Sequence, residues 1–270
     1  MSVPSRMPRE GYSVLERAVD PAAAGWLREQ VDALGAMAER ELLDPSASPL
    51  VVVPEAEDPR LVCRYEHIMA TEPALAERLM GTVLPIVEDL CGEPMLLFKD
   101  KVNNKHPGGG AFRPHQDIVA YRCFGPDYHL TAMITIDAAT ERNGCLYVAQ
   151  DYCGVASQRP DLVVEEIGGL PVFRHYWGAS ERHGDLLVEV EAAFSWRPLP
   201  TVPADLVIFD SFRPHQSHRN ETQESRRAMF LTFAPARFGD WYGRYYDEKM
   251  RNPADPKFHV STPTRGTQHA

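Results

Sequence analysis

The stretch Asp205-Leu206-Val207-Ile208-Phe209-Asp210 is a compact apolar run of β-branched and aromatic residues between two carboxylates. A polar segment follows at once: Ser211-Phe212-Arg213-Pro214-His215-Gln216-Ser217-His218-Arg219-Asn220. A second run, Arg226-Arg227-Ala228-Met229-Phe230-Leu231-Thr232-Phe233, comes next. Strand, turn-rich connection and strand is the reading these residues support. The same texture extends upstream to Pro94. Short apolar or alternating runs occupy Met95–Asn103, Ile118–Tyr121, His129–Ile136, Cys145–Ala149 and Leu186–Val190. Turn residues separate them at Pro107-Gly108-Gly109-Gly110, Asn143-Gly144 and His183-Gly184-Asp185. Evenly spaced short strands with such punctuation indicate a sandwich or barrel.

The first third reads differently. Gly11 to Leu15 is a short strand. Asp20-Pro21 opens a helix whose apolar residues Ala24, Leu27, Val31, Leu34 and Met37 keep a helical period. A second helix is expected from Thr71, with Glu72-Pro73 in its first turn. It runs past Leu75, Leu79, Val83 and Val87 toward Leu90, with a kink at Pro85. The intervening residues 44–65 carry four prolines and read as a loop with one short strand. Trp241-Tyr242-Gly243-Arg244-Tyr245-Tyr246 reads as a helix docking on the barrel, and the polar tail after Asn252 as frayed. The expected architecture is mainly β with flanking helices: an antiparallel double-stranded β-helix, the cupin-like jelly roll. It forms one domain over residues 1–270, with a helical layer at about 11–92, the β core at about 94–236 and a tail from about 237.

Composition narrows the function classes. With 28 Lys and Arg against 38 Asp and Glu in 270 residues, the net charge is −10. An acidic chain without a basic block argues against nucleic acid and anionic membranes as partners. No apolar run approaches the ~20 residues of a membrane span. The first residues, Met1 to Arg6, lack the apolar stretch of a secretory signal, so a cytoplasmic location is expected. Five scattered cysteines without Cys-x-x-Cys argue against both a disulfide scaffold and a structural zinc. Nothing in the sequence sets an oligomeric state.

Chemistry concentrates in Phe112-Arg113-Pro114-His115-Gln116-Asp117. On a strand, residues i and i+2 share a face, so the imidazole of His115 and the carboxylate of Asp117 converge. One distant histidine completes a two-His-one-carboxylate triad, which leaves positions open on Fe(II). His-x-Asp is a weak motif alone, and this chain has a second, His183-Gly184-Asp185, which reads as a hairpin turn. His215 separates the two. It lies 98 residues after Asp117, enough chain for a barrel to return, but only 30 after Asp185. His218 is the alternative to His215 on the same segment. A guanidinium on the strand after His215 is suited to hold a carboxylate of a chelating cosubstrate bidentately.

Pro-His-Gln-Asp, the Asn143-Gly144 turn, Asp-Leu-Val-Ile-Phe-Asp, then Pro-His-Gln-Ser-x-x-Asn and a following arginine resemble the phytanoyl-CoA dioxygenase-like family of Fe(II)- and 2-oxoglutarate-dependent oxygenases. The resemblance spans about Gly11 to Phe233. It implies that His115, Asp117 and His215 hold iron and are catalytic. It implies that 2-oxoglutarate pairs with the arginine about eleven residues after the distal histidine, which selects Arg226 over its neighbour Arg227. It also implies a polar cosubstrate contact on the strand before His-x-Asp: Asn103 first, Lys101 second. Thr131 and Ser217 are candidates for hydroxyl contacts. The sequence departs from the family's Pro-Gly-Ser-His stretch, reading Ala149-Gln150-Asp151-Tyr152-Cys153 in a region expected to border the substrate. Asp117 argues against a related halogenase, in which a small residue replaces the carboxylate.

The expected activity is therefore hydroxylation of a C–H bond, with O₂ and 2-oxoglutarate consumed. Lys99, Lys101, Asn103 and Lys105 share one face of their strand. If that face is interior, Lys99 points to a small anionic substrate of the amino-acid or aminophosphonate type, because an unpaired buried ammonium is costly. The opposing reading puts Lys99 or Lys105 at the strand mouth, snorkelling to water. A natural-product intermediate is the alternative substrate, and a non-catalytic ligand-binding β-helix the alternative class. His67, His106, His129, His175, His259 and His269 read as surface or packing residues, Trp177, Trp196 and Trp241 as packing residues, and Gly108–Gly110 as a flexible hairpin or lid.

Overall fold

The computed structural model describes residues 11–56, 58–178, 182–258 and 260; His259 and His269 lie outside them. In chain order the elements are β1 (Tyr12–Leu15), α1 (Pro21–Leu43), β2 (Val51–Pro54), β3 (Val62–Glu66), α2 (Ile68–Thr71), α3 (Pro73–Cys91), β4 (Met95–Lys105), β5 (Phe112–His115) and α4 (Ile118–Tyr121). There follow β6 (Leu130–Thr135), β7 (Leu146–Ala149), α5 (Tyr152–Gln158), β8 (Val163–Ile167), β9 (Leu170–Phe173), α6 (Val188–Glu191) and β10 (Trp196–Leu199). The last are β11 (Leu206–Asp210), β12 (His215–Ser217), β13 (Arg226–Pro235) and α7 (Tyr242–Arg251).

The strands form a seven-stranded sheet of order β1-β11-β6-β13-β4-β3-β2 and a four-stranded sheet of order β10-β7-β12-β5. Strands β8 and β9 pair separately. The pairings within the two larger sheets are antiparallel, and neighbours in space are distant in sequence, as a jelly roll requires.

Helices α1 and α3 cover the outer face of the large sheet. Leu27, Val31, Leu34 and Ala38 of α1, and Leu75, Leu79, Val83, Val87 and Cys91 of α3, are buried at helical spacing. They pack with Val102, Ile134, Ile208, Met229 and Leu231 from the strands beneath. Burying each such Leu or Val contributes ~1.5–3 kcal/mol. The inner face of the same sheet meets the small sheet through Met133, Val207, Phe209 and Phe230 against Leu146 and Val148. Alternation along β4 thus sends Val102 outward to the helices and Lys101 and Asn103 inward.

Several expected elements differ. The second long helix begins at Pro73, two residues after Thr71, because proline fits the first turn and Glu72 is not helical. Residues 44–65 contribute to two strands, β2 and β3. Ile118–Tyr121 and Val188–Glu191 are helical turns. Their apolar side chains suit either state, and local i to i−3 or i−4 bonds decide it. The Gly108–Gly110 connection is not a hairpin, since β4 and β5 lie in different sheets; Gly108 N and Gly109 O are bonded to Asn220. Phe258, in the expected frayed tail, is buried against Tyr245 and Phe124. Trp177 is 65% exposed rather than packed, while Trp196 and Trp241 do pack. The five cysteines are free. Among the described residues no helix is long and apolar enough to cross a membrane.

Candidate metal centre and flanking cavities

Strands β5 and β12 are neighbours, and their register sets His115 directly opposite His215, with ring centroids 4.1 Å apart. Asp117 does not continue β5 as expected. The strand ends at His115, and Asp117 is already α-helical in backbone at the entrance to α4. The turn still brings its carboxylate back: its oxygens lie 3.8 Å from His115 Nε2 and 4.0 Å from His215 Nε2. Gln116, fully buried between the two candidate ligands, clamps this turn. Its amide donates to the carbonyls of Pro171 and Phe212 and accepts from Phe173 N.

The two imidazoles are oriented alike. Nδ1 of His115 donates to the Arg113 carbonyl at 2.8 Å, and Nδ1 of His215 to the Arg213 carbonyl at 3.0 Å. A carbonyl only accepts, so Nδ1 carries the proton and Nε2 presents its lone pair to the shared point. Ligand atoms of His115, Asp117 and His215 all lie within 4.8 Å of one another. Burial and the adjacent His215 push His115 down to about 3, so it is neutral at working pH. Burial alone would raise Asp117, but the basic groups around it, Lys101 and Lys99 among them, outweigh it and hold the carboxyl below its ordinary value. Two neutral imidazoles and a carboxylate on one side of a point form the donor set of a non-haem Fe(II) site with open positions.

A cavity opens on one side of the triad, between the two sheets. Arg226, Lys105, Ser217, Asn103 and Lys101 line it together with Phe230. The β4–β13 register explains the set: Arg226 faces Lys105, Ala228 faces Asn103, and Phe230 faces Lys101. Arg226 is buried, donates through Nη2 to the Gly144 carbonyl, and leaves Nε without a partner. Burial lowers it to about 10. Lys105 is 2% exposed, so it does not snorkel from the strand mouth. It donates to Ser217 Oγ at 2.8 Å and to the His218 carbonyl, and burial with Arg226 nearby holds it well below its ordinary value. Asn103 Oδ1 is also unpartnered. Arg227, one residue on, points outward to Asp137 and Asp32. Thr131 faces inward, yet its hydroxyl bonds Thr232 at 3.0 Å, and it lines neither cavity.

A second, smaller cavity lies on the other side of His115 and Asp117. Arg64, Lys99, Lys101, Tyr121, Tyr245 and Phe258 contribute to its wall. Lys99 is buried, with Nζ 5.6 Å and 5.2 Å from the ring centroids of Tyr121 and Tyr245. Behind it sits Glu66, wholly buried, with Arg64 Nε at 2.8 Å, Lys249 Nζ at 2.7 Å and Lys99 Nζ at 4.0 Å. Desolvation opposes its charge, but these cations hold Glu66 well below the usual carboxylate range. Lys101 lines both cavities, 4.9 Å from the Phe230 ring centroid. Burial, then Lys99, pushes it down to about 7.

Other candidates fall elsewhere. His183 and Asp185 belong to a turn with Gly184 at φ 81°, outside the triad; Asp185 is held by Arg113 and Arg182. His218 stacks on Tyr147. Residues 149–153 line neither cavity, because Asp151 caps α5 and Tyr152 lies against Arg213. Sequence reasoning missed Arg64, Glu66, Tyr121, Tyr245 and Lys249. The available signal was Arg64 and Glu66 at strand spacing, matching Lys99 and Lys101. It was masked because every residue of β3 is buried.

Comparisons with known proteins identify the family and the fold. The model of the family described as phytanoyl-CoA dioxygenase matches residues 7–228. A 2-aminoethylphosphonate dioxygenase from Uncultured bacterium HF130_AEPn_1 is 36% identical over 193 residues, covering 70% of this chain and 65% of that one. A methylphosphonate hydroxylase from Gimesia maris is 33% identical over 190 residues, with the same two coverages. The chain thus spans 65% of the length of these curated relatives. Among solved structures, EctD from S. alaskensis with 2-oxoglutarate and 5-hydroxyectoine matches with TM-score 0.64 and 19% identity, over 87% of this chain and 76% of that one. The epimerase SnoN with Fe3+, alpha ketoglutarate and nogalamycin RO matches with TM-score 0.62 and 17% identity, over 98% and 94%. At those identities the likeness is one of fold.

Proposed function

Because the chain belongs to the phytanoyl-CoA dioxygenase family, we propose that it is an Fe(II)- and 2-oxoglutarate-dependent dioxygenase. It hydroxylates a C–H bond of a small anionic metabolite of the aminophosphonate type, within one oxygenase domain. The observation that carries the reading is one triad flanked by two cation-lined cavities that meet at Lys101, Phe112 and His115. Such an enzyme needs one cavity for a dianionic cosubstrate and another for its substrate.

In this reading His115, Asp117 and His215 hold the iron. Bound there, Fe(II) with 2-oxoglutarate and O₂ supplies the oxidising chemistry, yielding succinate, CO₂ and a hydroxylated product. The protein supplies position and a dry site. Arg226 takes the far carboxylate of 2-oxoglutarate, since its guanidinium has no ion-pair partner among the described residues and its Nε is unpartnered. Lys105 and Ser217 support that carboxylate, and Asn103 offers an amide nearer the metal. Lys99 faces the substrate on the opposite side. The phosphonate-oxidising relatives favour a phosphonate as the anion. Thr131, engaged with Thr232, is given no cosubstrate contact.

The test is succinate release with Fe(II), 2-oxoglutarate and O₂, comparing 2-aminoethylphosphonate, methylphosphonate and amino acids with neutral hydrophobic natural products. Stimulation by the phosphonates is expected. Stimulation by the hydrophobic set alone would overturn the substrate class. Absence of a visible charge-transfer band in the anaerobic protein with Fe(II) and 2-oxoglutarate would favour the non-catalytic alternative.

A further inference from the structure

The family match ends at residue 228, yet the wall of the second cavity does not. Helix α7 is fastened across β4 by Tyr242, whose hydroxyl donates to Asp100 Oδ2 at 2.6 Å. Tyr246 holds it as well, donating to the Asp100 carbonyl at 2.7 Å. From that position α7 lends Tyr245 to the cavity wall and sends Lys249, 4% exposed, to Glu66.

The arrangement around Glu66 is unbalanced. Arg64 takes one carboxylate oxygen and Lys249 the other, both at ion-pair contact, while Lys99 is left 4.0 Å from the oxygen that Lys249 holds. Lys101 has no ion-pair partner among the described residues, and Asp117 is committed to the metal in the reading above. Four buried basic side chains therefore share one available carboxylate. Holding a buried basic group protonated without a counter-charge is costly, so an anion in the cavity stabilises their charged forms. The three that face the cavity, Arg64, Lys99 and Lys101, line one common space beside His115 and Asp117. A tetrahedral phosphonate offers three acceptor oxygens and up to two negative charges, which suit a guanidinium and two ammonium groups.

We propose that Arg64, Lys99 and Lys101 bind the phosphonate group of the substrate, and that Lys249 is a positioning residue. By occupying Glu66, Lys249 keeps Lys99 turned to the ligand. Substrate recognition then depends on α7, a segment beyond the matched family region. This rests on the dioxygenase reading only for the role of Asp117 and the identity of the second cavity.

The experiment is calorimetric titration of methylphosphonate into the anaerobic holoprotein with Fe(II) and 2-oxoglutarate. Lys99→Met should raise Kd at least about 30-fold, which is ~2 kcal/mol at 1.4 kcal/mol per tenfold. Lys249→Met should raise Kd and the KM for phosphonate about tenfold with kcat little changed, and Lys249→Arg should restore both. Affinity for 2-oxoglutarate should stay within about twofold in all three, a split that a merely structural role of Lys249 would not give. Lys99→Met tests the anion contact independently of α7 packing. Methylphosphonate binding that is indifferent to Lys99→Met, or absent from the wild type, overturns the proposal. Lys99-dependent binding in a protein that fails to take Fe(II) and 2-oxoglutarate would support it while overturning the oxygenase reading.

Discussion

The two cavities beside the triad solve the same problem in different ways. On the Arg226 side, Arg226 and Lys105, with Lys101 shared between the cavities, face a ligand space whose lining holds no carboxylate among the described residues. Among the described residues, carbonyls and the Ser217 hydroxyl are the hydrogen-bond partners of Arg226 and Lys105. On the Lys99 side the cations are arranged around Glu66, which neutralises part of their charge before any ligand arrives. In the proposed reading the first site is preset for one dianion and is incomplete without it. The second is partly compensated inside the fold, so its charge can be tuned by residues that never touch the ligand. The contrast suits a cosubstrate common to a family and a substrate particular to one member.

The largest expected effect is loss of the shared centre. His115→Ala, Asp117→Ala and His215→Ala should each remove turnover and iron, beyond the ~10–100-fold cost typical of losing an outer partner of a ligand. Iron content after gel filtration checks this. His183→Ala, in the other His-x-Asp, should leave iron unchanged; the reverse pattern would invalidate the choice of motif.

Next comes the cosubstrate side. Arg226→Ala should raise the 2-oxoglutarate KM at least about 30-fold, the equivalent of ~2 kcal/mol for a buried charged contact. Arg227→Ala should change it less than about threefold, because that side chain serves Asp137 and Asp32 on the outer face. Equal effects would remove the distinction between the faces.

A finer test compares neighbours inside the first cavity. Ser217→Ala removes one neutral partner of the Lys105 ammonium, a loss of ~0.5–1.5 kcal/mol, so the 2-oxoglutarate KM should rise about two- to tenfold. Phosphonate affinity should not move. If it does, the two cavities are not independent.

The smallest effect concerns His129, buried behind Tyr121 with neither ring nitrogen partnered. Burial lowers its pKa to about 3, against about 6.5 unfolded. The unfolded chain then takes up the proton first. Stability from this group is present above about pH 6.5 and is lost as the pH falls toward about 3. His129→Phe should flatten the acid dependence of Tm without altering iron content. An unchanged Tm profile would show that His129 is not a source of the acid sensitivity.

Much of the centre was legible because its signals are local or parity-based. Arg226 and Arg227 are adjacent, so a strand sends them to opposite faces whatever the rest of the fold does. Lys99, Lys101 and Asn103 were placed on one face for the same reason. The expected strand at Ile118–Tyr121 failed because Asp117 leaves β5 for a helical turn, a choice that an apolar run of four residues does not encode. Lys105 was open to two readings, exposed or buried. The decision came from Ser217 and the His218 carbonyl, more than a hundred residues away.

By itself, the sequence determined the β-rich fold class and singled out the three candidate ligands, through periodicity, spacing and donor chemistry within short segments. Strand parity placed Arg226 and Arg227 on opposite faces, and the family resemblance chose Arg226 as the inward one. Only the tertiary structure decided the composition of the second cavity. Arg64 and Glu66 lie on β3, Lys99 and Lys101 on β4, and Tyr245 and Lys249 on α7. Which charges meet across such distances depends on sheet register and on the docking of one helix. A buried ammonium and a solvated one are the same letter until a distant carboxylate is placed beside it.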